Sequence, residues 1–70
     1  MKPNSRPVIW HATPARSGEN WIAQAIGVYA NGDRFPFYEG GDVIPTYEIE
    51  ADAHAASERL VKALSAPWPR

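Results

Sequence analysis

The sequence predicts an α+β domain in which a small antiparallel three-stranded β-meander packs against one C-terminal α-helix. An Asn31-Gly32 step separates two runs rich in β-branched and aromatic residues, at 21–29 and 34–38, and this pattern is typical of a β-hairpin. Beyond residue 48 the apolar residues recur every three or four positions, which is the period of an amphipathic helix. Residues 8–66 are therefore predicted to form a single domain, preceded by a flexible arm at 1–7 and followed by a tail at 67–70.

Size and composition limit what the domain can contain. The chain has 70 residues, of which 44% are hydrophobic and 21% are charged, as in ordinary globular proteins. This length allows one hydrophobic core. The chain has no cysteine, which excludes disulfides and thiolate zinc sites, so self-association is an open route to further stability.

The predicted location is the cytoplasm. No apolar run approaches the roughly 18 residues that a membrane span needs, and the first seven residues lack the apolar stretch of a signal peptide. The formal net charge is -1, with Lys2, Arg6 and Arg16 in the first third of the chain and most acidic residues in the later part. Membrane association is therefore not expected.

The first strand is predicted at 7–12, a β-branched and aromatic run that proline limits on both sides. Residues 13–20 are rich in turn formers and are predicted to be a loop. Asn31-Gly32 predicts a two-residue type I′ turn, which places Tyr29 opposite Arg34 and Val28 opposite Phe35. Pro36 has no N–H group, so the strand at 34–38 is predicted at an edge of the sheet, with the strand at 21–29 in the centre.

This register assigns the hairpin residues to two faces. The predicted core face carries Ile22, Gln24, Ile26, Val28, Phe35 and Phe37. The opposite face carries Trp21, Ala23, Ala25, Tyr29, Arg34 and Tyr38. The helix is expected on the first of these faces.

The helix is predicted from about Glu48 to Ala66. One apolar stripe runs along it through Ile49, Ala53, Ala56, Leu60 and Leu64. Thr46 is the expected N-cap, and Pro67 ends the helix because proline cannot continue it. Whether 43–47 forms a fourth strand or a crossing segment is left open by the sequence.

No catalytic residue, metal site or cofactor is predicted. His11 and His54 are the two histidines, and no serine lies in a nucleophile elbow. His54 and Glu58 are one helical turn apart, but a zinc site normally has three or four ligands. Gly40-Gly41 lacks the lysine and strand-helix context of a phosphate-binding loop, so we interpret it as a turn or hinge.

The predicted binding site consists of Trp21, Tyr29, Arg34 and Tyr38. Tryptophan, tyrosine and arginine are enriched at the energetic centres of protein interfaces. The alternative is that the arm or Trp68 covers the aromatic residues, with Arg34 stacked on Tyr29. The expected partner is another protein or a second copy of the chain, and the expected role is that of a non-enzymatic accessory or inhibitory factor from a phage or mobile element.

Two other functions are open alternatives. A nucleic-acid-binding domain would use Lys2, Arg6, Arg16 and Arg34 together with aromatic stacking, and a structural homodimer would need no further partner. The acidic residues between 39 and 52 also allow mimicry of nucleic acid.

The layout of strands followed by a helix resembles, in outline, three groups of domains. They are the arm-binding domains of phage integrases, plant AP2 domains and HicB-like antitoxins, and Trp21-Ile22-Ala23 is similar to the Trp-aliphatic-Ala strand of the DNA-binding groups. In integrase arm-binding and AP2 domains the sheet reads DNA through arginines and tryptophans. Here the corresponding strands carry only Arg34.

Overall fold

A computed structural model of the protein describes residues 6–40 and 42–66. Its elements in chain order are β1 (Ile9–Ala12), β2 (Ala15–Ser17), β3 (Asn20–Ile22), β4 (Gln24–Val28), β5 (Arg34–Tyr38) and α1 (Glu50–Ser65). β1, β4 and β5 form an antiparallel sheet with β4 in the centre, while β2 and β3 form a separate hairpin. The predicted α+β class, with one C-terminal helix, is confirmed. Most of the predicted arm, at 1–5, and the predicted tail, at 67–70, lie outside the described residues.

The β2–β3 hairpin occupies a segment that the sequence predicted to be a loop, so that prediction was wrong. Ser17 pairs with Asn20, which leaves Gly18 and Glu19 as a two-residue connection. Gly18 has a φ of 65°, whereas no residue other than glycine has a positive φ in the described chain. Glycine at the first central position is the pattern of a type II′ turn, which suits a tight hairpin. The predicted continuous strand at 21–29 is consequently two strands, separated at Ala23.

The predicted turn at Asn31-Gly32 is present, but its type is different. Gly32 has a φ of 96° and Asn31 has a negative φ, so the type I′ turn, which needs two positive φ angles, is wrong. The Gly32 N–H donates to the Tyr29 carbonyl at 2.8 Å, and the Tyr29 N–H donates to the Asp33 carbonyl at 2.8 Å. The connection is thus a three-residue loop that Gly32 closes as a bulge.

The longer loop moves the pairing register by one residue. Val28 lies opposite Arg34 and Gly27 lies opposite Phe35, instead of the predicted pairing of Val28 with Phe35. Because side chains alternate along a strand, a shift of one residue moves every side chain of β5 to the other face relative to β4. The predicted core face was therefore wrong, since Phe35 and Phe37 do not share a face with Ile26 and Val28.

α1 packs against one face of the three-stranded sheet, which we call the covered face, and Phe35 at its end remains 51% exposed. The pairing places Trp10, Ala12, Ala25, Gly27, Phe35 and Phe37 on it. Ala25 is fully buried, as are Ala53, Ala56 and Ser57 of α1, and α1 contacts β1, β3 and β4. Small side chains on both elements let the helix approach the sheet closely, which is why α1 covers Ala25 and not the predicted face around Ile26.

The helix itself agrees with its sequence pattern except at its beginning. α1 lies within the predicted range, and its stripe buries Ala53 and Ala56 completely while Leu60 and Leu64 are half-buried. The predicted cap was wrong, because the N-cap is Ile49 and no side chain caps the first turn. The Ile49 carbonyl accepts the Asp52 and Ala53 N–H groups at 3.0 and 3.2 Å. Glu50 and Asp52 lie in the first turn, where negative side chains stabilise the helix by interacting with its dipole.

The segment before the helix adds one β-bridge to the β2–β3 hairpin. Tyr47 and Trp21 exchange two backbone hydrogen bonds, each 2.7 Å long. This single antiparallel bridge answers the question that the sequence left open for 43–47, because in the described chain the segment forms no longer strand. The bridge ties the residues that precede α1 to β3.

Candidate functional site

The four residues of the predicted site lie in three different environments. Trp21 belongs to β3, outside the three-stranded sheet, and the Arg16 guanidinium lies 5.0 Å from the centroid of its ring. Tyr29 lies directly after β4, and its ring packs edge-on against Phe35 at 5.5 Å. Trp21 and Tyr29 therefore do not lie on a common surface with the other two residues.

Arg34 and Tyr38 do share a face. They are four positions apart on β5, with Pro36 midway between them, and all three residues are exposed. Their cross-strand partners are Val28 and Gln24, so the face is the one opposite α1. Arg34 and Tyr38 are therefore the part of the predicted site that lies on one surface.

We call the surface opposite α1 the open face. Its members are Ile9, His11, Gln24, Ile26, Val28, Arg34, Pro36 and Tyr38. In the pairing register, Ile9, Val28 and Arg34 form one row across the three strands, and His11, Ile26 and Pro36 form the next. Ile9 is 50% exposed and Tyr38 is 40% exposed. The two edge strands therefore expose apolar area on this face, while Ile26 and Val28 of the central strand are half-buried.

The charge on the open face has one sign. Arg34 is its cationic side chain, whereas none of its members is acidic. The whole chain nevertheless has a net charge of -1. The acidic side chains thus lie elsewhere, and the open face combines apolar area with local positive charge.

A second cluster joins the residue after β5 to the segment before α1, and sequence reasoning missed it. The Tyr47 hydroxyl donates a 2.6 Å hydrogen bond to a Glu39 carboxylate oxygen. This hydrogen bond, helped by desolvation and by the negative charge of Glu39, raises the pKa of Tyr47, while the Arg59 guanidinium opposes the rise. Tyr47 is therefore held neutral and acts as a hydrogen-bond donor. Neither residue forms part of a sequence motif, so only the fold reveals the pair.

The remaining candidates show geometry typical of a protein surface. His54 Nδ1 lies 3.6 Å from the Glu58 carboxylate on the exposed side of α1. Among residues 6–40 and 42–66, no group of three or more His, Asp or Glu side chains could hold a metal ion. Gly40 has a φ of 84°, and a Cβ atom on it would collide with the Val43 carbonyl. Gly40 therefore supports a tight turn, while Gly41 lies outside the described residues.

No protein-family model matches the chain, and neither a curated protein nor a solved structure is significantly similar to it. Within the described part of the chain, α1 lacks the length and apolar character that crossing a membrane requires.

Proposed function

We propose that this protein is a small non-enzymatic protein-binding module of the cytoplasm, and that its binding surface is the open face. The observation that supports this proposal is the row of Ile9, Val28 and Arg34, in which a half-exposed Ile9 and a half-buried Val28 lie beside a cation. Contiguous exposed apolar surface on a small protein is typical of an interaction site. Tyr38 adds an aromatic ring of the type that is enriched at interface centres.

The chemistry of the open face defines the partner. An apolar patch on the partner would cover Ile9, Ile26 and Val28, and a carboxylate would pair with Arg34. A planar guanidinium binds a carboxylate through two parallel hydrogen bonds. The partner that fits is therefore a protein with an apolar surface bordered by acidic residues. Binding without chemistry is compatible with an accessory or inhibitory role of the kind that small phage proteins have.

A nucleic-acid partner fits the described surface less well. Binding to the phosphate backbone requires several cations on one surface. Arg34 lies on the open face, whereas Arg16 lies in β2 and is stacked on Trp21. Of the other two cations expected to take part, Arg6 precedes β1 and Lys2 lies outside the described residues. We therefore propose a protein partner and treat nucleic acid as an outcome of the test.

The test is affinity capture with the tagged protein from a nuclease-treated lysate of the cells that produce it. The wild type is compared with an Ile9→Ser/Tyr38→Ala variant of the open face and with Val43→Ser as the matched control. Val43 is 79% exposed and lies outside the open face. Circular dichroism and thermal melting establish first that all three proteins fold.

The expected result is a protein that the wild type and Val43→Ser retain and that the open-face variant loses. With the captured partner in purified form, Arg34→Glu should weaken binding more than Arg34→Gln, because the charge reversal repels the partner's carboxylate. Equal capture by the wild type and the open-face variant contradicts the proposal. A parallel capture is run without nuclease. Material that is retained only there contradicts the proposal as well and assigns the surface to nucleic acid.

A further inference from the structure

The two edges of the three-stranded sheet differ in their free hydrogen-bonding groups. On β5, the Glu39 N–H donates to the Ala23 carbonyl and the Asp33 carbonyl accepts from Tyr29. Since the direction alternates along a strand, Phe35 and Phe37 point their backbone groups toward β4, and Arg34, Pro36 and Tyr38 point theirs outward. Pro36 has no N–H group, so the outer edge of β5 is interrupted at its centre. This edge is protected against the addition of another strand.

The outer edge of β1 has no such interruption. The Thr13 N–H donates to the Gln24 carbonyl at 3.0 Å, which sets the direction along β1. The backbone groups of Ile9 and His11 therefore face β4, and those of Trp10 and Ala12 face outward. Within the described residues, no hydrogen bond satisfies the N–H group of Trp10 or of Ala12.

We propose that β1 pairs with β1 of a second copy of this chain, antiparallel and across a two-fold axis, so that two sheets join into one sheet of six strands. In the register that uses every outward group, Trp10 of each copy pairs with Ala12 of the other. The two pairs exchange four backbone hydrogen bonds. His11 of each copy then lies at the two-fold axis, in a position where the two copies face each other without hydrogen bonds between their backbones.

Three observations favour a second copy over an unrelated strand. The pattern of outward groups is self-complementary, as a two-fold interface requires. β1 carries no formal charge when His11 is neutral, and the net charge of the chain is only -1, so charge repulsion between copies is weak. In addition, the buried residues that carry a side chain in the described chain are four alanines and one serine, and small domains with little core commonly gain stability by association.

The dimer has a consequence for the open face. A two-fold axis that relates two antiparallel edge strands is perpendicular to the sheet, so both helices lie on one side and both open faces lie on the other. The inference depends on the β1 edge and not on the proposed function. A monomer that still captures its partner through the open face would contradict only the dimer, and a dimer that captures no protein would contradict only the proposed function.

The first experiment is sedimentation equilibrium over a range of protein concentrations. The wild type is expected to be a dimer at high concentration, whereas a monomer at all concentrations up to the limit of solubility would overturn the inference. Ala12→Pro removes the outward N–H of each copy and should weaken dimerisation at least about tenfold. Ala12→Ser keeps the N–H and nearly the same size, so it should dimerise like the wild type.

A cysteine test holds even if Ala12→Pro does not fold. Cysteine residues at the two-fold axis would be about 4.5 Å apart between their Cα atoms, within the range of a disulfide. Because the chain has no cysteine, His11→Cys introduces a single reactive thiol on an exposed position. Under mild oxidation it is expected to form a covalent dimer rapidly.

Two matched variants distinguish cross-linking at the proposed interface from cross-linking by random collision. Val43→Cys places the thiol on a residue that is 79% exposed and lies outside β1, and Arg34→Cys places it on the other edge strand. Both are expected to cross-link at least about tenfold more slowly than His11→Cys. Cross-linking of Val43→Cys at the same rate, or faster cross-linking of Arg34→Cys, would overturn the β1 interface.

Discussion

The Gln24 N–H donates a 2.9 Å hydrogen bond to the hydroxyl of Ser57, 33 positions further along the chain. The Gln24 carbonyl faces β1, where it accepts the Thr13 N–H, so the Gln24 N–H also points to that side. The Thr13 carbonyl instead accepts the Gln24 side-chain amide at 3.0 Å. Ser57 of α1 thus replaces the Thr13 carbonyl as the acceptor at the end of the β1–β4 pairing. This hydrogen bond connects the helix to the central strand of the sheet.

Ser57→Ala is expected to destabilise the fold by about 1 to 3 kcal/mol. The substitution leaves the Gln24 N–H without an acceptor in a part of the molecule where Ser57 is fully buried, and an unsatisfied buried donor costs about this much. Urea denaturation monitored by circular dichroism measures the change in the free energy of unfolding. The matched control is Ser65→Ala on the exposed end of the same helix, with an expected change below about 0.5 kcal/mol. Equal effects of the two substitutions would show that the hydrogen bond to Gln24 contributes nothing.

Gly27→Ala tests the close packing on the covered face. A Cβ atom on Gly27 would lie 2.8 Å from Pro7 Cγ and 3.0 Å from Trp10 Cζ3. Trp10 is itself held edge-on against Phe37 at 5.2 Å, so it has little room to move. We expect a loss of about 1 to 3 kcal/mol, as for other overpacked cores, together with a change in tryptophan fluorescence. An alanine variant with wild-type stability and an unchanged spectrum would mean that Pro7 and Trp10 do not cover Gly27.

β1, β5 and α1 could be predicted from the sequence because each has a local signal, whereas β2 lies in a segment rich in turn formers and could not be. The apolar period of α1 and the proline at the edge of β5 indicate their structures regardless of distant contacts. The register could not be predicted in the same way. Asn31-Gly32 is compatible with a two-residue and a three-residue loop, and the choice between them depends on the sign of φ at Asn31. The small side chain of Ala25 packs against α1. This packing favours the register in which Ala25, and not Ile26, faces the helix.

The candidate site was predictable only in part, for the same reason. Arg34 and Tyr38 lie on one strand and are separated by an even number of positions, so they share a face whatever the register. Trp21 and Tyr29 would share that face only if one unbroken strand joined them and the hairpin had two loop residues. The break at Ala23 and the longer loop remove both conditions. Ile9, which contributes exposed aliphatic area, belongs to a strand whose central neighbour was predicted but whose register against that neighbour no local signal indicated.

Gly32→Ala tests the turn that sets the register. Gly32 has a φ of 96°, and residues with a Cβ atom adopt such angles at a cost of about 1 to 2 kcal/mol. No atom would contact a Cβ at this position, so the expected loss is purely conformational. Gly32→Asn should cost less than Gly32→Ala, because asparagine tolerates positive φ better. Thermal unfolding of the wild type, Gly32→Ala and Gly32→Asn gives their order of stability. An alanine variant as stable as the wild type would contradict the three-residue loop.

The hydrogen bond between Tyr47 and Glu39 predicts an alkaline dependence of stability. The pKa of Tyr47 is raised above its ordinary value of 10.0 in the folded chain. The unfolded chain then releases the phenol proton first as the pH rises. The stability that this proton contributes is fully present below the unfolded pKa and is lost as the pH rises through the folded pKa. The free energy of unfolding should therefore fall above about pH 10.

Tyr47→Phe isolates this effect from the other two tyrosines, Tyr29 and Tyr38. The variant lacks the phenol, so its free energy of unfolding should decrease less steeply than that of the wild type between about pH 9 and pH 11. Glu39→Gln keeps a hydrogen-bond acceptor but removes the negative charge, and it should give an intermediate slope. Urea denaturation at each pH provides the measurement. Parallel curves for the wild type and Tyr47→Phe would mean that Glu39 does not hold Tyr47 in its neutral form, and a steeper curve for Tyr47→Phe would reverse the sign of the shift.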